Sequence, residues 1–243
     1  MHDIRRAFKV SDAYIGTAAS VQTLADFANP VGTYKGEGED RQRIGIPLWV
    51  HRRCIEPMFS IANRIAYQNK MVLAGKKIGE GHWYDCTGNA VQAQYVQEQG
   101  NFIVEKIRGY FATLNGEDST PSVFVITPFT AVKEGLKNLL KQQLKGEIAN
   151  ISKWVDRSIG TVHTFQGKEA DIVYFVTGTD TQTDGAANWS CMKPNLLNVA
   201  ATRAKKEFYV VGDLARFKSK QYYDVIQQTF EEFNEKKLHV QDT

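Results

Sequence analysis

The sequence predicts an α/β fold with a central, mostly parallel sheet flanked by helices, and three observations predict it. Short apolar, β-branched and aromatic runs alternate with longer stretches whose apolar residues recur at helical spacing. The short runs "SVFVIT" (122–127), "DIVYFVTG" (171–178) and "EFYVVGD" (207–213) are almost continuously apolar, as strands covered on both faces are. Alternation of strands and helices is the mark of βαβ units, whose crossovers make neighbouring strands parallel. At 243 residues the chain can hold one large domain of this kind, or two small ones, with a sizeable core.

The elements follow in order. Residues 1–43 read as a linker: they hold Gly16, Gly32, Gly36 and Gly38, the charged stretch "KGEGEDRQR" (35–43), and one short helix over "SVQTLADFA". From Ile44 the pattern changes. "IGIPLWV" predicts a strand near 46–50, joining the strands near 122–127, 172–177 and 207–212 in one sheet. In "EPMFSIANRIAYQN", Met58, Ile61, Ala62, Ile65 and Ala66 fall on one helical face. "HWYDCTG" predicts an edge strand or loop. A helix ending near Leu114 follows, apolar on Ile103, Ile107, Tyr110, Phe111 and Leu114. Pro128 ends the strand at 127, and Val132, Leu136, Leu139, Leu140 and Leu144 give the next helix its apolar face. "NLLNVAATRAKK" predicts a helix carrying Arg203, Lys205 and Lys206. "QYYDVIQQTFEEFNEKK" predicts a last amphipathic helix, within a helical extension over 215–243 that follows a main domain at 44–214.

Composition narrows the function classes. A net charge of +3 permits a nucleic-acid partner without requiring one. No apolar run approaches the roughly 18 residues of a membrane span, and "MHDIRRAFKV" has no signal-peptide core. Cys54, Cys86 and Cys191 are odd in number and far apart, which fits neither a disulfide framework nor a zinc pair. They read as structural thiols in a reducing compartment, cytoplasmic or nuclear, with the cytoplasm as the expectation.

Polar chemistry gathers in "HRRC" (51–54), "TVHTFQGKEAD" (161–171) and "NVAATRAKK" (198–206), each beside a predicted strand end. Open α/β sheets bind ligands at such ends. Arginines beside a hydroxyl-rich loop suit phosphate, because the guanidinium fork matches its oxygens. Each residue alone also has a plain reading. Arg52, Arg53 and Arg203 fit solvated basic positions, His163 a structural hydrogen-bonding role, and Glu169 and Asp171 the solvation of a loop.

Taken together and in this order, the segments resemble superfamily 1 helicases. "GTVHTFQGKEADIVYF" (160–175) resembles motif V, "NLLNVAATRAKKEFYVVGD" (195–213) motif VI, and "VITPFTAVKEGL" (125–136) the segment between motifs IV and V. "PLWVHRRCIEPMFSIANRIAY" (47–67) resembles the arginine-bearing motif IV and its helix. The nearest branch is that of the nonsense-mediated-decay RNA helicases and related nuclease-helicases. The resemblance implies a RecA-like three-layer domain, the second of two, with ATP in the cleft between them and one nucleic-acid strand across both.

It implies that Arg53 and Arg203 are arginine fingers toward the γ-phosphate, and that Glu169 binds near the ribose. Gln166 and Gly167 would shape the loop between nucleotide and strand. Thr127, Thr161, His163 and Thr164 would hold backbone phosphates with Lys168 nearby. Arg52 stands where the branch usually stacks an aromatic residue on the nucleotide base, and Val132 where it often has Gln. Replacing either finger by Ala would then lower ATP turnover and leave folding nearly intact. The 243 residues contain no G-x-x-x-x-G-K-[ST] and no apolar strand ending in an acidic pair. The expectation is therefore the C-terminal motor half of a longer protein, inactive alone. Its partners would be single-stranded DNA or RNA and a first RecA-like domain, with ATP and Mg²⁺ bound mostly by that domain. A non-catalytic nucleic-acid-binding module on the same fold is the alternative.

Overall fold

The computed structural model describes residues 25, 26, 28–35, 38, 41–45, 49–114 and 119–241. The chain divides into two units, Met1–Trp49 and Val50–Thr243. In the first, β1 (Gly32–Lys35) pairs antiparallel with β2 (Gln42–Gly45). Asp26 ties this hairpin down, its Oδ1 accepting from the Gly45 amide at 2.9 Å. Most of the helix expected over "SVQTLADFA" lies outside the described residues.

The second unit begins with β3 (Val50–His51), which pairs in parallel with β4 (Val72–Leu73) across the helix α1 (Met58–Ala66). Next come β5 (Glu80–Asp85), the hairpin β6 (Ala90–Gln92) and β7 (Tyr95–Val96), and α2 (Gln97–Ala112). Then β8 (Val123–Thr127) leads to α3 (Thr130–Leu144), α4 (Ile151–Ser158) and β9 (Ile159–Thr161). After a 3-10 turn at Val162–Phe165 come β10 (Ala170–Val176), α5 (Asp184–Ser190) and α6 (Asn195–Ala201). The described chain closes with β11 (Ala204–Gly212), α7 (Leu214–Phe217) and α8 (Tyr223–Gln241).

Five strands form the central sheet in the order β5–β11–β10–β8–β9, every neighbouring pair parallel. Side chains on a strand alternate between faces, and here both faces are apolar. Val173, Phe175, Phe208 and Val210 pack on one side with Met58 and Ile61 of α1, Leu197 and Ala200 of α6, and Ile226 and Phe230 of α8. Tyr174, Val176, Tyr209 and Val211 pack on the other with Ile103 and Ile107 of α2, Leu136 and Leu140 of α3, and Trp154 of α4. The fold is a three-layer α/β domain with helices on both faces of the sheet.

Two details differ from the sequence reading. Residues 46–48 of the strand expected near 46–50 lie outside the described residues, and Val50–His51 joins β4 rather than the central sheet. The edge beside β11 belongs to Glu80–Asp85, whose alternating burial suits it: Trp83 is buried and Glu80 exposed. Helix α6 stops at Ala201, so Arg203 lies in the turn beyond it, and Lys205 and Lys206 begin a strand. Val132 is buried against α2 and the sheet, a position that an apolar side chain fits and a glutamine does not.

Candidate functional site

The polar loop before β10 runs from one rim of the sheet to the other. Because the strands are parallel, β8 and β9 end on the same rim, where Thr127 and Thr161 are register partners. Strands β10 and β11 begin on the opposite rim, where Ala170 pairs with Ala204. The four steps along β8 separate the rims by about 13 Å. The 3-10 turn covers the distance by burying Val162 and Phe165, the Phe165 ring lying 4.4 Å from that of Phe124. With its apolar members turned inward, the turn leaves His163, Thr164, Gln166, Lys168 and Glu169 exposed. Gly167 then reverses the chain with φ of +85°, a conformation that costs a side chain dearly.

On the rim where β8 and β9 end, the hydroxyls of Thr161 and Thr164 lie 3.4 Å apart. Thr127 differs from the other expected strand-binding residues. It is fully buried, and its hydroxyl accepts from the Phe129 amide at 3.4 Å, so it sits beneath the rim. Lys168 lies further along the loop, its Nζ 5.8 Å from the Phe165 ring centroid.

The opposite rim gathers the arginines. Arg203 is only 4% exposed. Its Nε donates to the Val199 carbonyl at 3.1 Å, Nη1 to the Lys168 carbonyl at 3.0 Å and the Phe165 carbonyl at 3.5 Å, and Nη2 to the Thr202 hydroxyl at 3.2 Å. Arg203 therefore clamps the polar loop to the end of α6. Burial depresses its pKa first, repulsion from Arg53 adds to this, and Cys54 and Glu169 partly offset both. Arg53 and Glu169 thus stand near enough to Arg203 to act on its charge, one against it and one for it, although 150 residues separate Arg53 from Arg203 in sequence. Arg52 and Arg53 are exposed. Among the described residues no carboxylate stands at ion-pair distance from Arg52, Arg53 or Arg203. Glu169 is instead paired with Lys205 at 3.0 Å, and Asp171 with Lys206 at 2.7 Å.

The turn that presents Arg52 and Arg53 has its own staple. His51 Nε2 accepts from the Cys54 amide at 3.1 Å and lies 3.0 Å from Cys54 Sγ. The imidazole is thus neutral with its proton on Nδ1. Burial, and then Arg53, hold its pKa below the ordinary value. Burial and Glu56 push the Cys54 thiol up to about 12, so it is a packing group and no nucleophile. Cys191 is likewise buried, and Cys86 half-buried.

Sequence reasoning missed a second polar cluster, on the rim where β10 ends. Asp180 caps the turn at Thr181–Thr183, its Oδ1 accepting from the Gln182 and Thr183 amides at 3.0 Å each, and its Oδ2 from the Ala90 amide at 3.0 Å. Arg216 donates to the Thr179 carbonyl at 3.0 Å and pairs with Asp184 at 3.1 Å, while Lys220 reaches Asn188 at 2.6 Å. The capping signal "DTQT" was there to read; the partners from α7 and beyond were not. Among the described residues no three His, Cys, Asp or Glu side chains stand together as a metal site, and no helix is long and apolar enough to cross a membrane.

Among curated proteins nothing matches. Similar solved structures include the C-terminal domain of a possible DNA helicase from Lactobacillus plantarum WCFS1, at 13% identity and a TM-score of 0.37, covering 67% of this chain and 88% of that one. Arterivirus nonstructural protein 10 (helicase) matches at 14% identity and a TM-score of 0.33, covering 69% of this chain and 26% of that one. PRRSV nsp10 (helicase) matches at 12% identity and a TM-score of 0.31, covering 67% and 23%. The chain thus spans about a quarter of the length of the two viral proteins. The family model described as "AAA domain" matches residues 50–215, most of the second unit and of the whole chain. The chain belongs to this AAA-domain family and carries a three-layer α/β domain on a five-stranded parallel sheet.

Proposed function

We propose that this chain is the second motor domain of an ATP-dependent helicase or translocase. In this reading Arg53 and Arg203 face the terminal phosphates of an ATP held by a first RecA-like domain, and the rim of Thr161, His163 and Thr164 holds a nucleic-acid backbone. The observation that carries it is the Arg53–Arg203 pair. Two like charges share one rim, one of them buried, with only carbonyl and hydroxyl partners on Arg203. A buried cation without a counter-charge is unfavourable, and an anionic phosphate placed against the pair would relieve it.

The chemistry asked of these residues is electrostatic. Bound ATP, with Mg²⁺ held by the first domain, supplies the phosphoryl group and its leaving diphosphate. Arg53, exposed at the tip of its turn, is free to meet a phosphate oxygen; Arg203 is fixed by its carbonyls and adds a preorganised positive field. Charge developing during phosphoryl transfer is stabilised by such groups without reorganisation at the moment of reaction. Glu169, already paired with Lys205, stands beside them at a position suited to a ribose hydroxyl.

The 3-10 turn gives the loop a way to connect two ligands. Its polar groups reach the strand-binding rim at Thr161 and Thr164 and the arginine rim at Lys168 and Glu169. The second reading, a non-catalytic binding module, draws on the four internal bonds of Arg203, which give that residue a structural reason to be present.

The two readings part on ATP turnover by the protein that holds both RecA-like domains. Arg53→Ala should lower it on the order of 10³-fold with the thermal melt unchanged. Arg203→Lys keeps the charge but loses the fork and should also be slow. Turnover within a few-fold of wild type in Arg53→Ala sinks the motor reading and leaves the binding module.

A further inference from the structure

We infer that Trp189 is a stacking platform for a base of the single strand, an inference that rests on the strand-binding reading above. Trp189 is 50% exposed at the end of α5, although indole is among the side chains that gain most from burial. It is not loose. One side of its ring leans on Phe129, with centroids 5.8 Å apart, and Phe129 lies two residues beyond Thr127, the register partner of Thr161. The path Trp189–Phe129–Thr127–Thr161–Thr164 leads, over the buried Thr127, to the rim that offers the Thr161 and Thr164 hydroxyls to a phosphate backbone.

Helix α5 is also anchored. Asp184 pairs with Arg216 at 3.1 Å and Lys220 at 3.0 Å, Lys220 reaches Asn188 at 2.6 Å, and the Ser190 hydroxyl lies 3.0 Å from that of Tyr223. The indole is therefore held in place with half its surface to solvent, as a preorganised contact should be. Lys193, four residues beyond Trp189 and exposed in the turn after α5, enters no ion pair with any described residue. An aromatic face, neighbouring hydroxyls and a free ammonium together fit a single nucleic-acid strand, since every base has a π-face and the backbone is anionic. The stack carries little sequence preference.

Anisotropy titration of labelled oligothymidylate and oligouridylate with the chain at low salt tests this, alongside an abasic strand of equal length. Trp189→Ala should weaken binding of the base-bearing strands on the order of 5- to 100-fold, and Trp189→Phe should restore most of it. The abasic strand should bind wild type about as poorly as the normal strand binds Trp189→Ala. Equal affinity of Trp189→Ala and wild type, or of abasic and normal strands, overturns the stacking role and leaves backbone binding standing. Failure of wild type to bind any strand removes the strand-binding reading, and the platform with it. Conversion of a dimer to a monomer by Trp189→Ala in sedimentation, with strand affinity unchanged, assigns the ring to a contact between copies instead.

Discussion

Arg203 and His51 show how far single residues here depend on partners remote in sequence. The side chain of Arg203 is 4% exposed and bonds carbonyls at 165–168 and at 199, so truncating it unties the polar loop from the end of α6 and leaves a hole in the packing. Removal at little cost to folding therefore suits the exposed Arg53 and not Arg203, which is why Lys is the variant to use there. His51 performs a smaller version of the same task, holding the arginine-bearing turn through the Cys54 amide. Only the neutral ring can accept that bond. Its folded pKa lies below the unfolded value near 6.5, so the unfolded chain binds the proton more readily. The stability contributed is complete above the unfolded pKa and is lost as pH falls through the folded one. Urea melts from about pH 7 to about pH 5.5 should show stability falling with acid, and His51→Gln should flatten that slope. An unchanged slope in His51→Gln would place the titration elsewhere.

Elements were legible where burial writes a period into the sequence. The three central strands are apolar on both faces, and α1, α2, α3 and α8 each repeat apolar residues at helical spacing. Helix α4 and strand β9 were not read. "ISKWVDRS" offers only Ile151, Trp154 and Val155, and "IGT" a single large apolar residue, so neither is long enough to show a period. Yet β9 carries the start of the polar loop, and its Gly160 packs directly against that loop. A Cβ at Gly160 would meet Thr164 Cβ at 2.9 Å and the Phe165 ring at 3.0 Å. Both atoms belong to the turn, and neither is the far end of a flexible chain. Gly160→Ala should push the turn off the edge strand and cost about 1–3 kcal/mol of stability, the usual range for overpacking. Gly109, exposed within α2 with nothing in the way of a Cβ, is the matched control. There Ala should stabilise by about 0.5–1 kcal/mol. Denaturant midpoints that move the same way for both substitutions would refute the packing account.

For the whole molecule, the juxtaposition of the rims mattered more than any motif. Glu169 and Arg203 stand where β10 and β11 begin, as the order of their segments before two predicted strands implied. Only the parallel sheet, carried through the loop from Thr161 to Ala170, separates that rim from the threonines. This division sets what the chain should do with nucleic acid by itself. The threonine rim offers hydroxyls and few cations: Lys168 lies along the loop and Lys193 beside α5, while Lys205 and Lys206 are neutralised by Glu169 and Asp171. A net charge of +3 adds little long-range attraction. If about two phosphates are neutralised, the slope of log affinity against log salt should be near −1.4 for a single strand. Affinity should sit at about 10⁻⁴ to 10⁻⁶ M near physiological salt, the range of non-specific binding. Backbone contacts position without specifying, so strands of different sequence should bind alike, and ATP with Mg²⁺ should not change the curve because the 243 residues contain no G-x-x-x-x-G-K-[ST]. Titrations at several salt concentrations, with and without ATP, measure slope and affinity together. A slope of about −4 or steeper would mean a basic track that the two rims do not contain, and the assignment of the strand to the threonine rim would then fall.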